Sequence, residues 1–555
     1  MTGIASIWRL LSRTSPSALV SAWTPQLLLA LAAVAVSGIY GALAAAELGG
    51  VLQVAPPVLG AVLAAAAWWT AQDRARGLRW LAALAVVGFV AVAIVQTPPA
   101  LLGMALVALG GVVLVGGLRI AGKLPDARST TAVLAAAAVA LVPFRGLGEI
   151  ALGPSVVGLS DFALGAALVV WLGGHGRGRI EIPRLALAIV VFAAWLSVTG
   201  VLALDPAPVL KETIKWLQVA VAVVLLADVL RHADARIAVA WLVGVAVTAE
   251  AAVGLVQAIT GIGPAAFNVG GLIRSFGTFE QPNPFGGYLG LHLPLLLAGA
   301  IYARRSRRPW IAALWLLVLV ALVISRSRGA WIGMIGSTAV VLLAAMPRVR
   351  VLGAATVALI VAGFLAFAGW QLTGGLERAL PDPARAAVEG RTEVRDALRI
   401  VVDDDFAISE RLAQWEAGWR MFMSAPLIGV GAGNYDQAYS RFNFEPFLQL
   451  PGHAHNIYLN FAAEAGLPAA VAFLALSVWA IWRCVRAVHW ARGAPWEWAT
   501  IGALGGMVAF SLHNLVDSLF VNGMGLVFAL FIGLSYAIEW DHRRRQAPPG
   551  TGAAS

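Results

Sequence analysis

The chain has one cysteine and three lysines among its 555 residues, and charged side chains of both signs together make up only 12%. The lone Cys484 excludes an internal disulfide framework and any cysteine-ligated zinc site. Charge is about half the roughly 25% usual in globular chains, which leaves too little polar surface to coat soluble domains. In its place stand 60% hydrophobic residues and a mean hydropathy of +0.82. The length therefore reads as a stack of membrane spans. A net charge of +10 would suggest nucleic acid in a soluble protein. Here the positive-inside rule explains it first, and no nucleic-acid partner is expected.

Apolar runs long enough for a ~30 Å hydrocarbon core recur near 25–47, 51–70, 77–96, 99–121, 130–149, 157–173, 185–204, 209–230, 236–260, 284–302, 309–325, 328–346, 351–370, 454–483, 496–516 and 519–540. They predict an all-α polytopic integral membrane protein of about sixteen transmembrane helices. The first run exceeds the ~7–15 apolar residues of a signal peptide and is read as an uncleaved span. Arginines concentrate in alternate connections, among them Arg74/Arg76/Arg79, Arg304/Arg305/Arg307/Arg308, Arg483/Arg486/Arg492 and Arg543/Arg544/Arg545. Those connections, and both termini, are expected in the cytoplasm. The remaining cations then face outward. One connection, 371–452, is long enough to be a soluble-looking exterior loop. Within it Ala384–Val402 has helical composition. Arg411–Ser424 places Leu412, Trp415, Trp419 and Met423 along one helical stripe, a helix on the membrane surface or bundle, or alternatively an aromatic sugar platform.

Charges beside spans are costly and mark function, and outward cations also oppose the topology rule. The first group is Arg274-Ser-Phe-Gly-Thr-Phe-Glu-Gln-Pro-Asn283-Pro-Phe-Gly-Gly287. Its glycines and prolines shape a tight re-entrant loop, Asn283 is a candidate helix cap, and Arg274 would be held at the membrane surface. The second is the short turn Ser325-Arg326-Ser327-Arg328-Gly329-Ala330-Trp331. Two guanidinium forks beside a helix N-terminus suit an anion such as a phosphate. The third is His453-Ala-His455-Asn456-Ile-Tyr458, followed by Glu464-Ala-Gly466-Leu-Pro468. Two histidines at i,i+2 diverge on a helix and are too few for zinc, so no metal is expected. Histidine, which as a residue type titrates near ~6.5, suits a general base. Asn456 and Glu464 are both candidates to orient the imidazole.

Two weaker groups follow. Lys211 and Lys215 lie one helical turn apart after Asp205-Pro-Ala-Pro208, a position where lysines also simply snorkel. His513-Asn-Leu-Val-Asp517 resembles a buried polar support. Two lookalikes are discounted. Asp403-Asp404-Asp405 reads as a solvated acidic stretch. Gly429-Val-Gly431-Ala-Gly433 has neither the preceding strand nor the Gly-Lys-Ser/Thr ending of a phosphate loop.

Taken together, Arg274–Gly287, Ser327-Arg328-Gly-Ala-Trp331, Arg411…Trp415…Pro426-Leu-Ile-Gly-Val-Gly-Ala-Gly433…Tyr439, and His455-Asn-Ile-Tyr-Leu with Glu464-Ala-Gly-Leu467 resemble the bacterial O-antigen ligase/polymerase family. The likeness runs from about Pro143 to Tyr536 and is most specific from Arg274 to Leu467. It implies a fold related to multi-span glycosyltransferases that use lipid-linked donors. It divides the chain into extra N-terminal spans (1–128), a first part of the membrane core (129–370), the exterior loop (371–452), the last spans of the core (453–540) and a cytoplasmic tail (541–555). The implied reaction, at the outer face of the bacterial inner membrane, moves a glycan from undecaprenyl diphosphate to an acceptor hydroxyl. That acceptor belongs to a lipid A core, another glycan or a protein. No cofactor is implied. Residue by residue, Arg274 and Arg328 match arginines proposed to bind the diphosphate, with Arg326 beside them. His455 matches the histidine proposed to activate the acceptor, and His453, Asn456, Glu464, Lys211, Lys215, His513 and Asp517 are accessory candidates. A lipid-linked glycan flippase is the alternative of another class. It would place charges near the bilayer midplane and toward both faces, whereas these cations cluster at the outer boundary.

Overall fold

The computed structural model describes residues 127–144, 150–152, 155–175, 180–201, 203–269, 272–345, 406–443 and 452–546. The four spans expected before Arg128, the span at 351–370, Ala384–Val402, Asp403–Asp405 and the tail after Gln546 lie outside them.

Apolar runs without internal breaks fold here as helices, because a chain in hydrocarbon must satisfy its own backbone. The helices are α1 (Ala127–Ala140), α2 (Leu159–His175), α3 (Arg184–Val198), α4 (Pro206–Val229), α5 (Ala233–Thr260), α6 (Pro282–Tyr302), α7 (Arg308–Ile324), α8 (Arg328–Ala345), α9 (Phe406–Ser424), α10 (Tyr435–Phe442), α11 (Ile457–Trp490), α12 (Glu497–His513) and α13 (Gly525–Gln546). Among the described residues, five helices are long and apolar enough to cross a membrane: Arg184–Val201, Ala233–Thr260, Pro282–Tyr302, Arg328–Ala345 and Ile457–Trp490. The all-helical expectation misses two short antiparallel ribbons, β1 (Ile150–Leu152) with β2 (Ser155–Val157), and β3 (Asn268–Val269) with β4 (Leu272–Ile273). Each is too brief to register as alternation in the sequence.

Two compact units alternate along the chain. One comprises the described residues up to Ile180, Asp228–Gly286 and Leu317–Arg326. The other comprises Glu181–Ala227, Gly287–Leu316 and the described residues from Ser327 onward.

In the first unit α1 packs against α2 and α5. In the second, α11 is the hub, touching α3, α9, α12 and α13. Its core is aromatic: Phe192, Trp216, Phe461, Phe473 and Phe520 meet largely edge to face, at centroid distances of 4.3–6.2 Å.

Helix α11 is broken at Gly466, whose φ of 75° and ψ of −178° only glycine tolerates. Pro468, two residues on, has no N–H to return. The carbonyls this break releases all find other donors. Val430 N donates to Ala463 O (3.0 Å) and Gly431 N to Glu464 O (2.8 Å). Trp195 Nε1 donates to Ala465 O (3.0 Å). Leu467 N turns outward to Pro426 O (2.8 Å). The Pro426–Gly433 turn and the Glu464–Pro468 break are thus two halves of one joint.

Candidate functional site

In the first unit, the loop that carries Arg274 is held from α5 by two buried polar side chains, Glu250 and Gln257. Glu250 Oε1 accepts from Thr278 N (2.7 Å). Gln257 Oε1 accepts from Gly277 N (2.8 Å), and its Nε2 donates to Gly277 O (2.8 Å). These two residues, seven apart in an otherwise apolar span, are a signal that the sequence reading passed over. The loop aims Arg274 at the neighbouring turn. Arg274 Nε donates to Ser325 O (3.1 Å) and its Nη2 to Asn283 Oδ1 (3.2 Å). Asn283 therefore serves as an acceptor for Arg274 and not as the expected cap, because α6 begins one residue earlier. Arg326 follows Ser325 with a left-handed φ of 53°. Such backbone in a bulky residue costs of order 1–3 kcal/mol and persists only where its surroundings enforce it.

The second unit holds the histidines. His453 and His455 do not diverge, because the chain is extended and turned here and α11 begins only at Ile457. A φ of 48° at His455 folds the two rings to a centroid distance of 4.4 Å. Both point at Asp517. His453 Nε2 lies 3.2 Å and His455 Nδ1 3.0 Å from the same Asp517 Oδ1, which also accepts from Ser518 N (2.8 Å). His513 Nε2 approaches Oδ2 at 3.9 Å. Burial works against a charge on Asp517, yet the hydrogen bonds from His453 and His455, with His513 close by, hold its carboxyl well below the usual 3.8. Against an ionised Asp517, a neutral His455 ring takes the tautomer with its proton on Nδ1 and its lone pair on Nε2. The Asp517 side chain is 7% exposed and that of His455 23%, so the carboxylate is buried and the imidazole is reachable.

Asp517 displaces both residues expected to orient the imidazole. Asn456 is the N-cap of α11, accepting from Tyr458 N and Leu459 N, both at 3.1 Å. Glu464 accepts from Gly433 N (2.9 Å) and Tyr435 N (3.1 Å). The backbone N–H groups of Gly429, Val430, Gly431, Ala432 and Gly433 are all committed to protein acceptors, so the glycine-rich turn is no phosphate cradle. Burial also pushes the Tyr439 hydroxyl beneath this turn up to about 12.

Arg328 is exposed at the first turn of α8, where Ser327 Oγ accepts from Ala330 N (3.4 Å). The next residue, Gly329, lies so close to His513 that a Cβ there would sit 2.7 Å from the ring. A Cβ on Gly287 of α6 would lie 3.1 Å from the opposite part of that ring and 2.3 Å from Leu519. His513 thus wedges between two glycines of the motifs and touches Asp517. This links the Arg328 turn to the His455 motif through packed side chains. The lysines lie elsewhere: Lys215 is ion-paired with Glu212 (2.5 Å) and donates to Phe520 O (3.2 Å), and Lys211 is exposed. Of the loop stripe, Trp415 is buried and donates to His455 O (3.3 Å), while Trp419 and Met423 face outward.

His453 Nε2, His455 Nδ1 and Asp517 Oδ1 lie within 4.8 Å of one another, the donor set of a three-ligand divalent-metal site. The same atoms also form a carboxylate–imidazole hydrogen-bond network.

The chain has no match among curated proteins. Residues 312–474, which contain Arg326, Arg328, His453, His455 and Glu464, match the family model described as O-Antigen ligase, and over that stretch the chain is similar to the O-antigen ligase family.

Proposed function

We propose that this protein is a metal-independent glycosyltransferase of the inner membrane. It moves a glycan from undecaprenyl diphosphate to an acceptor hydroxyl at the exterior face. The observation that carries the reading is the His455–Asp517 pair: Nδ1 is tied to a buried carboxylate, so Nε2 is presented as a base, as in other imidazole–carboxylate catalysts. The likeness of residues 312–474 to O-antigen ligases supports the substrate class.

In this mechanism the acceptor hydroxyl gives its proton to His455 Nε2 while its oxygen bonds to the anomeric carbon. The bond from that carbon to the diphosphate oxygen breaks, and undecaprenyl diphosphate departs with the electron pair. Asp517 stabilises the imidazolium that forms. Arg328 meets the charge on the leaving group, which a bidentate guanidinium does better than lysine; Arg274 and Arg326 are the further candidates for binding the diphosphate. His453 shares the Asp517 oxygen and holds it in place. The acceptor is a lipid A core, a growing glycan or a protein hydroxyl. Membrane lipids surround the spans, the basic connections and both termini are cytoplasmic, and the loop at 371–452 is periplasmic.

The test is transfer of purified lipid-linked glycan to acceptor in liposomes with EDTA present. His455→Gln keeps a polar group but is too weak a base, and its activity should be lost while donor binding persists. Wild-type turnover in that variant would remove His455 from proton transfer. Activity lost to EDTA and restored by a divalent ion would replace the metal-free mechanism with one on the His453/His455/Asp517 donor set.

A further inference from the structure

One face of α11 is unusually regular. Leu467, Val471, Leu474, Val478, Trp482 and Val485 are each 47–58% exposed, at spacings of four, three, four, four and three. The opposite face, including Ala469, Phe473, Leu476, Ala480 and Cys484, is buried. From Leu467 to Val485 this stripe rises about 27 Å at ~1.5 Å per residue, close to the ~30 Å of a hydrocarbon core. At its lower end Arg486 lies over Trp482 (5.1 Å) and Trp490 (4.7 Å), the aromatic and basic pairing of a membrane–water interface. At its upper end the stripe stops: between Ile457 and Gly466 no large hydrophobic side chain is exposed. Leu467 therefore marks the outer edge of the hydrocarbon.

The exterior loop meets α11 at this level. Leu467 N donates to Pro426 O, and a Cβ on Gly466 would fall 2.3 Å from Leu427 O. Leu427 is 69% exposed, and Met423 (57%) and Trp419 (45%) continue from it at four-residue intervals along α9. The other face of α9, with Trp415 and Met421, is buried. Arg420 at the rim is paired with Glu416 (2.8 Å). A sugar platform would pair an aromatic ring with hydrogen-bonding side chains at matching heights, whereas the exposed residues that follow Trp419 at four-residue intervals, Met423 in the last turn of α9 and Leu427 just after the helix, are a thioether and an alkyl group.

We propose that Trp419, Met423 and Leu427 are inserted in the outer leaflet, continuing the lipid-facing stripe of α11, with acyl chains as their partner. Trp419 sits at headgroup depth and Leu427 at the hydrocarbon edge. Trp415, on the same helix, donates to the His455 carbonyl, so the lipid surface sets the position of the helix that braces the histidine motif. This seating stands apart from the transfer reaction and can fail without it.

The single buried cysteine makes the test direct. Met423→Cys, Leu427→Cys, Val471→Cys as lipid reference and Ser440→Cys as aqueous reference are each made in a Cys484→Ala background. Each variant carries a nitroxide in phosphatidylethanolamine–phosphatidylglycerol vesicles. Power-saturation spectroscopy then compares collisions with oxygen and with a nickel chelate. Labels at 423 and 427 should prefer oxygen as the label at 471 does, and the label at 440 should prefer nickel. Nickel-accessible labels at 423 and 427, or labels shielded from both reagents by protein, would overturn the proposal. If Cys484→Ala fails to fold, Cys484 is retained, since its burial excludes it from labelling and an unsubstituted control reads any background.

Discussion

Asp517→Asn tests the site most sharply, because it removes a charge and changes almost no volume. Asp517 Oδ1 accepts from His455 Nδ1 at 3.0 Å and His453 Nε2 at 3.2 Å. A hydrogen bond to an ionised group contributes about 1.5–3 kcal/mol. At about 1.36 kcal/mol per decade of rate, losing the His455 bond alone costs roughly 10- to 150-fold in kcat. The amide also offers its NH2 group to the ring, which favours the opposite tautomer and withdraws the base, so the full loss is on the order of 10²–10³-fold. The KM for the lipid-linked donor should hardly move, since the arginines hold the diphosphate. The assay is steady-state transfer in liposomes, with unfolding in detergent followed in parallel. His455→Ala combined with Asp517→Asn should be no slower than His455→Ala alone, because both changes disable one base. Wild-type kcat in Asp517→Asn, or multiplicative losses in the double variant, would refute the orienting role.

Three further outcomes are expected. Arg328→Lys keeps the charge but not the fork, so most transfer should be lost in an inserted, folded protein; full activity there and in Arg274→Ala would discard the diphosphate assignment. Gly466→Ala forces a Cβ to within 2.3 Å of Leu427 O at a φ of +75°, which should destabilise by about 2 kcal/mol or more and lower the unfolding midpoint in detergent. Because the folded Asp517 carboxyl titrates below its ordinary 3.8, its stabilisation is fully present above that value and is lost only as pH falls further, toward the folded-state value. Wild type should therefore show no acid unfolding traceable to Asp517 above pH 3.8; a gap in unfolding midpoint between wild type and Asp517→Asn that closes above that pH would contradict the assignment.

Some helix limits were legible from hydropathy alone: runs expected at 284–302, 309–325 and 328–346 are Pro282–Tyr302, Arg308–Ile324 and Arg328–Ala345, whereas those expected at 130–149, 454–483 and 519–540 are Ala127–Ala140, Ile457–Trp490 and Gly525–Gln546. Solvent preference acts residue by residue, so a linear scan captures it. The histidine and arginine motifs were also visible, since a charge beside a span is conspicuous against apolar neighbours. The roles of their partners were not. Asp517 lies 62 residues from His455, and nothing local distinguishes it from a structural support. Glu464 and Asn456 were nearer in the chain and looked the better choices, but one caps a helix and the other holds a glycine turn. The glycines of three motifs explain why. Gly287 and Gly329 leave room for His513, and Gly466 opens α11 so that its freed carbonyls meet the Gly429–Gly433 turn. Each is a close approach between distant segments, and packing of that kind is specified jointly by residues that no single window of sequence contains.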